Sequence, residues 1–495
     1  MTGHVVRNQI RSGFYLDSVA LMRLSREVED SPGVIAASMM IGTPSNKSLL
    51  ESAGLLSVEG GKAGPNDLII AIRGETAEAA DGALGLAGEA LDRPRQSSGD
   101  DGGWIPRALD SAIAMLPAAN MAIISVPGAF AAREARRAMR RGLNVMMFSD
   151  NVPVDQECAL KAQAAELGLL MMGPDCGSAI IGGAPLGFAN AVPRGPVGIV
   201  AASGTGLQEV STLIGRHGGG ISHAIGVGGR DLSQAVGGAT TLAAIDALDE
   251  DPGTDRIVLI SKPPSVEIAQ RIFARVATSS KHFTICFIGM DASELPGNAT
   301  FAPTLRAAAE DALGGVSLGT GFDADIPRSH NRVMGLFAGG TLCAEAQAIF
   351  LAAGIEVASN APVPGASPLG HGLAHHLLDL GADEYTLGRP HPMIDPTVRH
   401  RSIREALVDP GVAVLLIDMV LGYGAHDDPA GDIAGLLAGH DGPRPVILAS
   451  VCGVEADPQI YPEQVATLEK AGIWVAPSNA HAAERAVSMI APSDA

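Results

Sequence analysis

The spacing of apolar and polar positions switches period repeatedly along this chain. Short apolar runs such as "NMAIISV", "NVMMFS" and "VGIVAA" each give way to segments with helical spacing: "AAREARRAMRRG", "DQECALKAQAAELG" and "TGLQEVSTLIGRHG". Apolar runs of this kind predict buried parallel strands, and the segments between them predict crossover helices on both faces of a sheet. A glycine at the end of each helix supplies a left-handed stop. The longest uncharged run, 111–132, is interrupted by Pro117, Asn120, Pro127 and Gly128. It therefore reads as a helix end, a strand and a turn, and not as a membrane span.

One order of elements occurs twice. "VGIVAASGTGLQE" (197–209) matches "VMGLFAGGTLCAE" (333–345), and "LDEDPGTDRIVLI" (248–260) matches "LVDPGVAVLLI" (407–417). A long loop lies between the landmarks in each block, "GVGGRDLSQAVGG" in the first and "LGADEYTLGRPHPMIDP" in the second. This internal repeat predicts two similar α/β domains, 195–312 and 332–495, behind an amino-terminal α/β domain, 1–194. Polar stretches at 93–103 and 313–331 read as a surface loop and a linker.

Composition narrows the function classes. Hydrophobic residues make up 46% of the 495 but aromatics only 3%, so the cores are built from Ala, Val, Leu and Ile. With 34 basic against 54 acidic residues the formal charge is −20, which opposes nucleic acid and anionic membranes. Five scattered cysteines without CxxC spacing, and an amino terminus without a signal-peptide pattern, predict a reduced cytoplasmic protein.

The repeated turn carries the first chemical expectation. A helix that starts directly after a parallel strand leaves its first amides unpaired and its positive dipole end exposed. Ser203, Gly204, Thr205 and Gly206 in the first copy, and Gly339, Gly340 and Thr341 in the second, combine hydroxyl donors with room for a phosphate or carboxylate. Each dipole contributes about 0.3–1 kcal/mol when exposed. If the two domains face each other across a pseudo-twofold axis, both starts converge on one anion.

Other residue types add weaker expectations. His391 lies between prolines in "GRPHPMIDP" and is the first choice of general acid, with His223 second. Arg230 and Arg389, in the two long loops, suit a planar carboxylate, with Asp231 and Asp395 beside them. Asp231, Asp395 and Asp418 offer oxygen ligands for magnesium, although no spacing marks them as a set. His371 and His375 have the spacing of a zinc pair on one helix face, and Cys176 in "GPDCG" is a candidate thiol.

"MMGPDCGSAI", "VGIVAASGTGLQE", "GVGGRD" and "DPGTDRIVLIS" resemble the alpha subunit of succinyl-CoA synthetase, and 333–480 resembles the carboxy-terminal domain of its beta subunit. Together with "SMMIGTPSNK", "NVMMFSDNVP" and "LGRPHPMIDP", the chain is identified as a member of the FdrA family over nearly its whole length. The resemblance implies a Rossmann-like CoA-binding-type domain followed by two flavodoxin-like domains of the synthetase type. It also implies departures. The synthetases clasp a phosphohistidine between two helix starts, whereas the matching region here, "ELPGNATFAPTLRAAA" (294–309), has no histidine, and Lys262 stands where a synthetase glutamate orients that histidine. The ATP-grasp domain is absent from the sequence.

Lys47, Pro127, Asp150 and Asn151 fall in the stretches that match CoA contacts, but "RSGFYLDS", with Phe14 and Tyr15, replaces the glycine-rich turn and leaves little room for CoA. The family implies a subunit of an oxamate carbamoyltransferase with a magnesium requirement, in which free phosphate is a substrate and oxalurate is split to oxamate and carbamoyl phosphate. In that scheme Lys262 neutralises phosphate and His391 or His223 protonates the leaving amide. The implied partners are a small N-carbamoyl compound, two further protein subunits and copies of the chain itself. An acyl-CoA synthetase with a separate ATP-grasp subunit, and a non-catalytic metabolite-binding scaffold, are the alternatives.

Overall fold

The computed structural model describes residues 4–14, 16, 18–92, 106, 108–290, 294–319, 332–386, 390–440 and 442–490. The chain divides into two compact units, the first formed mainly by 1–120 and the second by most of 131–495. In the first unit, strands Val5–Arg11, Leu68–Gly74 and Val34–Ile41 form an antiparallel sheet with Leu68–Gly74 in the middle. That central strand is buried on both faces. Leu68, Ile70 and Ile72 pack with Leu21, Val28, Ala80 and Ala83 from helices Ser18–Glu29 and Ala77–Asp92, while Ile69 and Ala71 pack with Leu50, Leu55 and Ala63. The period-2 alternation of the strand thus feeds two small cores.

The parallel part of the region 1–194 begins only at Met121. Strands Met121–Ile124, Asn144–Met147 and Met171–Met172 form a three-stranded parallel sheet within the second unit. Helix Val154–Leu167 ends at Gly168, whose φ of 64° is the left-handed stop expected from the sequence. The antiparallel sheet ahead of it was not separable from the apolar pattern, because a half-buried strand such as "VVRNQIR" carries few apolar residues.

Two seven-stranded sheets make up the rest of the second unit. In the first, the repeat strand Arg194–Ala201 lies between Ile221–Gly226 and Arg256–Ser261; in the second, Arg332–Phe337 lies between His375–Asp379 and Val412–Val420. These neighbours are all parallel, so the duplicated sequence yields a duplicated sheet centre. The two sheets share one core. Leu207, Val210, Leu305 and Ala309 from the first copy pack in one cluster with Leu342, Ala346, Phe350 and Ala483 from the second. The residues 195–312 and 332–495 therefore form one compact unit, not two independently packed ones.

Helices Gly204–Arg216 and Leu305–Ala312 of the first copy meet Gly340–Ala352 and Asn479–Ile490 of the second. Their caps are exchanged across the interface. Glu209 accepts the Asn479 amide (3.1 Å) at the start of the last helix, and Glu345 accepts the Leu305 amide (2.6 Å) at the start of its counterpart. Asn479 Nδ2 also donates to Glu345 (2.7 Å), and Arg306 forks onto Glu484 (2.7 Å to each oxygen). Both glutamates are fully buried, and burial raises both pKa values.

Candidate functional site

The two repeated turns meet. Ser203, the N-cap of helix Gly204–Arg216, accepts the Gly206 amide at 2.9 Å, and its hydroxyl is hydrogen-bonded to that of Thr341 in helix Gly340–Ala352. Gly206 is required by this approach: a Cβ there would stand 2.9 Å from Ile260 Cγ2 and 3.1 Å from Thr341 Cγ2. Both starts lie at the carboxyl edge of their sheets, where ligands of open α/β folds bind.

The two starts differ in what surrounds them. At the first, Gly204 is exposed, and Ser178 Oγ lies 3.1 Å from where its Cβ would be. Ser178 is 3% exposed, and among the described residues its hydroxyl has no hydrogen-bond partner. Lys262 follows strand Arg256–Ser261, whose Ile260 pairs with Ala201, so it too stands at this edge, exposed. At the second start, Asp418 accepts the amides of Ala338 (2.6 Å) and Gly339 (2.7 Å) and is matched by the buried Arg399 (3.1 Å).

A second carboxylate, Asp379, lies against Gly340, its Oδ2 2.5 Å from where a Cβ would be, while its Oδ1 accepts the Gly381 amide at 3.0 Å. Burial pushes Asp379 up to about 6, opposed by the charge of Lys262. His391 Nε2 packs on the same Gly381, 2.5 Å from its Cβ position, and burial followed by the charge of Arg399 lowers its pKa to about 4. His391 is therefore neutral at pH 7.

Ser203–Gly206 and Gly339–Thr341 thus meet through the Ser203–Thr341 contact, and Lys262 and His391 both neighbour Asp379 and its turn beside them. The other expected residues are engaged elsewhere. His223 accepts the Gly182 amide (3.1 Å) and faces Asp251 (3.9 Å), which lies just ahead of strand Arg256–Ser261 at the amino edge of the sheet. Asp231 caps helix Ala239–Glu250 through Thr240 and Thr241 and pairs with the buried Lys161 (2.7 Å). Arg230 is held by Glu157 (2.9 Å) and the Val152 carbonyl (2.8 Å). Asp395 caps a short turn through Thr397, and Arg389 lies outside the described residues, as do Tyr15, all of 93–103 and most of 313–331.

No group of three or more potential metal ligands occurs among the described residues. Asp231, Asp395 and Asp418 are capping residues in three different places. His375 lies in a strand, not a helix, and accepts the Val333 amide, which removes the basis for a zinc pair with His371. Burial pushes the Cys176 thiol up to about 12, so no reactive thiolate forms there at neutral pH. Among the described residues no helix is long and apolar enough to cross a membrane.

For the CoA-type contacts, Lys47 donates to the carbonyls of Gly61 (3.0 Å) and Ala63, and Phe14 lies under Arg11. Pro127 is half-buried. Asp150 and Asn151 are exposed on the loop leaving strand Asn144–Met147, at the carboxyl edge of its parallel sheet. Asp379, Ser178, Arg399, Glu209 and Glu345 were not foreseen as participants, although the two glutamates end the two matched stretches.

The CoA-ligase family matches residues 336–489, and residues 1–104 match a family described as AllF, heavy metal-associated domain. The chain belongs to the FdrA family, being 40% identical to the uncharacterised protein YahF of Escherichia coli (strain K12) over 96% of each chain. It is 29% identical to the succinate–CoA ligase [ADP-forming] subunit alpha of Methanothermobacter thermautotrophicus over 29% of this chain and 48% of that one, so it spans about half the length of that relative. A dinucleotide-forming acetyl-coenzyme A synthetase of Ca. Korarchaeum cryptofilum, solved with phosphate and ADP, aligns over 76% of this chain and 85% of that one at 17% identity and a TM-score of 0.33.

These relationships overturn the carbamoyltransferase expectation, since the relatives of known activity are CoA ligases. The site explains part of the error. The expectation places a free phosphate between the two helix starts with Lys262 as its counter-charge, whereas two carboxylates, Asp418 and Asp379, already stand at the second start. The heavy-metal description does not fit residues 1–104 either, because that stretch contains no cysteine and a single histidine, His4.

Proposed function

We propose that the chain is the thiol-ligating part of an acyl-CoA ligase-type enzyme whose ATP-grasp part is a separate chain. The observation that carries this reading is the Ser203–Thr341 hydroxyl contact, which joins the two helix starts into one mouth. The amides of Gly204 and Thr205, the hydroxyls of Ser178 and Thr205, and Lys262 would hold the phosphate end of an acyl phosphate. Asp150 and Asn151 would meet CoA, which supplies the attacking thiol. In the transfer a C–S bond forms at the acyl carbon, the C–O bond to phosphate breaks, and the thiol proton leaves. With no histidine in 294–309, the phosphoryl group is not carried on the chain at that position.

The test runs the half-reaction in reverse on the purified chain, with a panel of acyl-CoA thioesters and phosphate, and counts as acyl phosphate only the hydroxamate that depends on both phosphate and the chain, because thioesters themselves react with hydroxylamine. Product is expected, with loss of at least tenfold in Lys262→Ala; a charge-assisted contact of about 1.5–3 kcal/mol sets that scale. A second arm adds radiolabelled ATP, an acid, CoA and a candidate ATP-grasp chain. Thioester without an acid-labile phosphoprotein supports the reading. Absence of hydroxamate and of thioester in every combination overturns it.

A further inference from the structure

We infer that Asp379 is the proton carrier of the anion seat, so that an oxyanion enters the mouth together with a proton on this carboxyl group. The inference rests on the anion seat proposed above. Three features of the geometry support it. Asp379 is 7% exposed and its Oδ2 lies directly on Gly340, the residue beside Thr341, so a bound anion at the joined starts would face this oxygen. Its neighbour Asp418 has both oxygens on backbone amides and the Arg399 guanidinium as counter-charge, whereas Asp379 has amide contacts and, among the described residues, no ion pair within 4 Å. At the first start, Ser178, a residue 3% exposed, sets its hydroxyl 3.1 Å from the Cβ position of Gly204, and among the described residues no hydrogen bond engages it.

A carboxylate and an oxyanion in one partly buried mouth repel each other strongly. Protonation of Asp379 removes that repulsion and turns an acceptor into a donor toward the anion. The groups that face Asp379 are Lys262, Asp418, His391 and Cys343, with Arg399 behind Asp418. Burial holds Asp379 near 6, the Cys343 thiol far above its ordinary value and His391 near 4, so neither the thiol nor the imidazole changes charge between pH 5.5 and 8 as Asp379 does.

The probe is sulfate, which does not titrate in this range, added to the full chain and followed by calorimetry in two buffers of different ionisation enthalpy. Wild type is expected to take up about one proton per sulfate above pH 6.5 and to lose up to about tenfold in affinity per pH unit. Asp379→Asn should bind sulfate with no proton uptake, with flat pH dependence and more tightly than wild type at pH 8. Asp379→Glu should restore proton uptake. Sulfate binding with no proton uptake in the wild type overturns the inference and leaves the seat standing. No sulfate binding by the wild type at any pH overturns both, and unfolding of Asp379→Asn, read by circular dichroism, leaves the wild-type proton count to decide.

Discussion

The turn 201–206 and the turn 337–341 descend from the same stretch of sequence pattern, yet they satisfy their helix starts by opposite means. The first is capped by its own hydroxyl, Ser203 on the Gly206 amide, and leaves Gly204 exposed beside the Ser178 hydroxyl. The second has glycine at the N-cap, with no side chain to offer, and takes its cap from another strand: Asp418 on the amides of Ala338 and Gly339. A carboxylate cap brings a charge with it, and that charge needs Arg399. Duplication therefore gave the two starts different electrostatic character, one lined by hydroxyls and an exposed glycine and one already occupied by carboxylates.

The largest effect that would sharpen this contrast is on stability. Arg399→Ala leaves Asp418 buried and uncompensated, and a cost of about 3–5 kcal/mol is expected in denaturant unfolding. Lys262→Ala, the cation of the first start, is exposed and should fall within about 0.5 kcal/mol of wild type. Equal costs for the two would mean that the second start is not held by the buried pair.

A second effect comes from the exchanged caps. Burial first, and then the charge of Glu209, raises Glu345 to about 7 from its ordinary 4.5. Between those values the folded chain binds a proton that the unfolded chain releases, so this group's contribution to stability falls as pH rises through that window. Glu345→Gln keeps an acceptor for the Leu305 amide and removes the charge. It should raise stability by roughly 2 kcal/mol at pH 8 and change little at pH 5. A thermal melt at the two values checks this, and a loss of stability at pH 8 would show that the ionised carboxylate is the form that joins the two copies.

The matched glycines give a smaller, paired test. Gly340→Ala drives a Cβ to 2.5 Å from the buried Asp379, while Gly204→Ala meets Ser178 Oγ at 3.1 Å from an exposed backbone. Gly340→Ala should cost about 1–3 kcal/mol. Gly204→Ala should be close to neutral for stability and act on anion binding alone.

The sequence made the twin turns legible because small residues between an apolar strand and a helix are a local signal, and repetition strengthens it. The pairing of the two starts followed from the duplication. Asp379 was hidden, since it ends a strand far from Gly340 in sequence and no local pattern links the two. Glu209 and Glu345 stood at the ends of both quoted stretches, but a glutamate in a helix reads as a solvated residue until the opposing helix is in place. Arg230 and Asp231 misled for the reverse reason: a polar loop motif looks the same whether its charges face a ligand or, as here, close on Glu157 and Lys161. The antiparallel first sheet escaped because strand direction is set by pairing, which periodicity does not encode.

The smallest effect tests the joint itself. Ser203→Ala removes both the cap on Gly206 and the contact with Thr341, and should cost about 1 kcal/mol, typical of a lost N-cap. Thr341→Val keeps the shape and removes only the hydroxyl, so it isolates the cross-copy contact. If the two hydroxyls act as one bridge, the double variant will cost less than the sum of the singles by about 0.5–1.5 kcal/mol in a double-mutant cycle. Strict additivity would mean that the two starts lie side by side without holding each other. The mouth would then depend on the buried four-helix interface behind it, where Glu209, Glu345 and Asn479 exchange their caps.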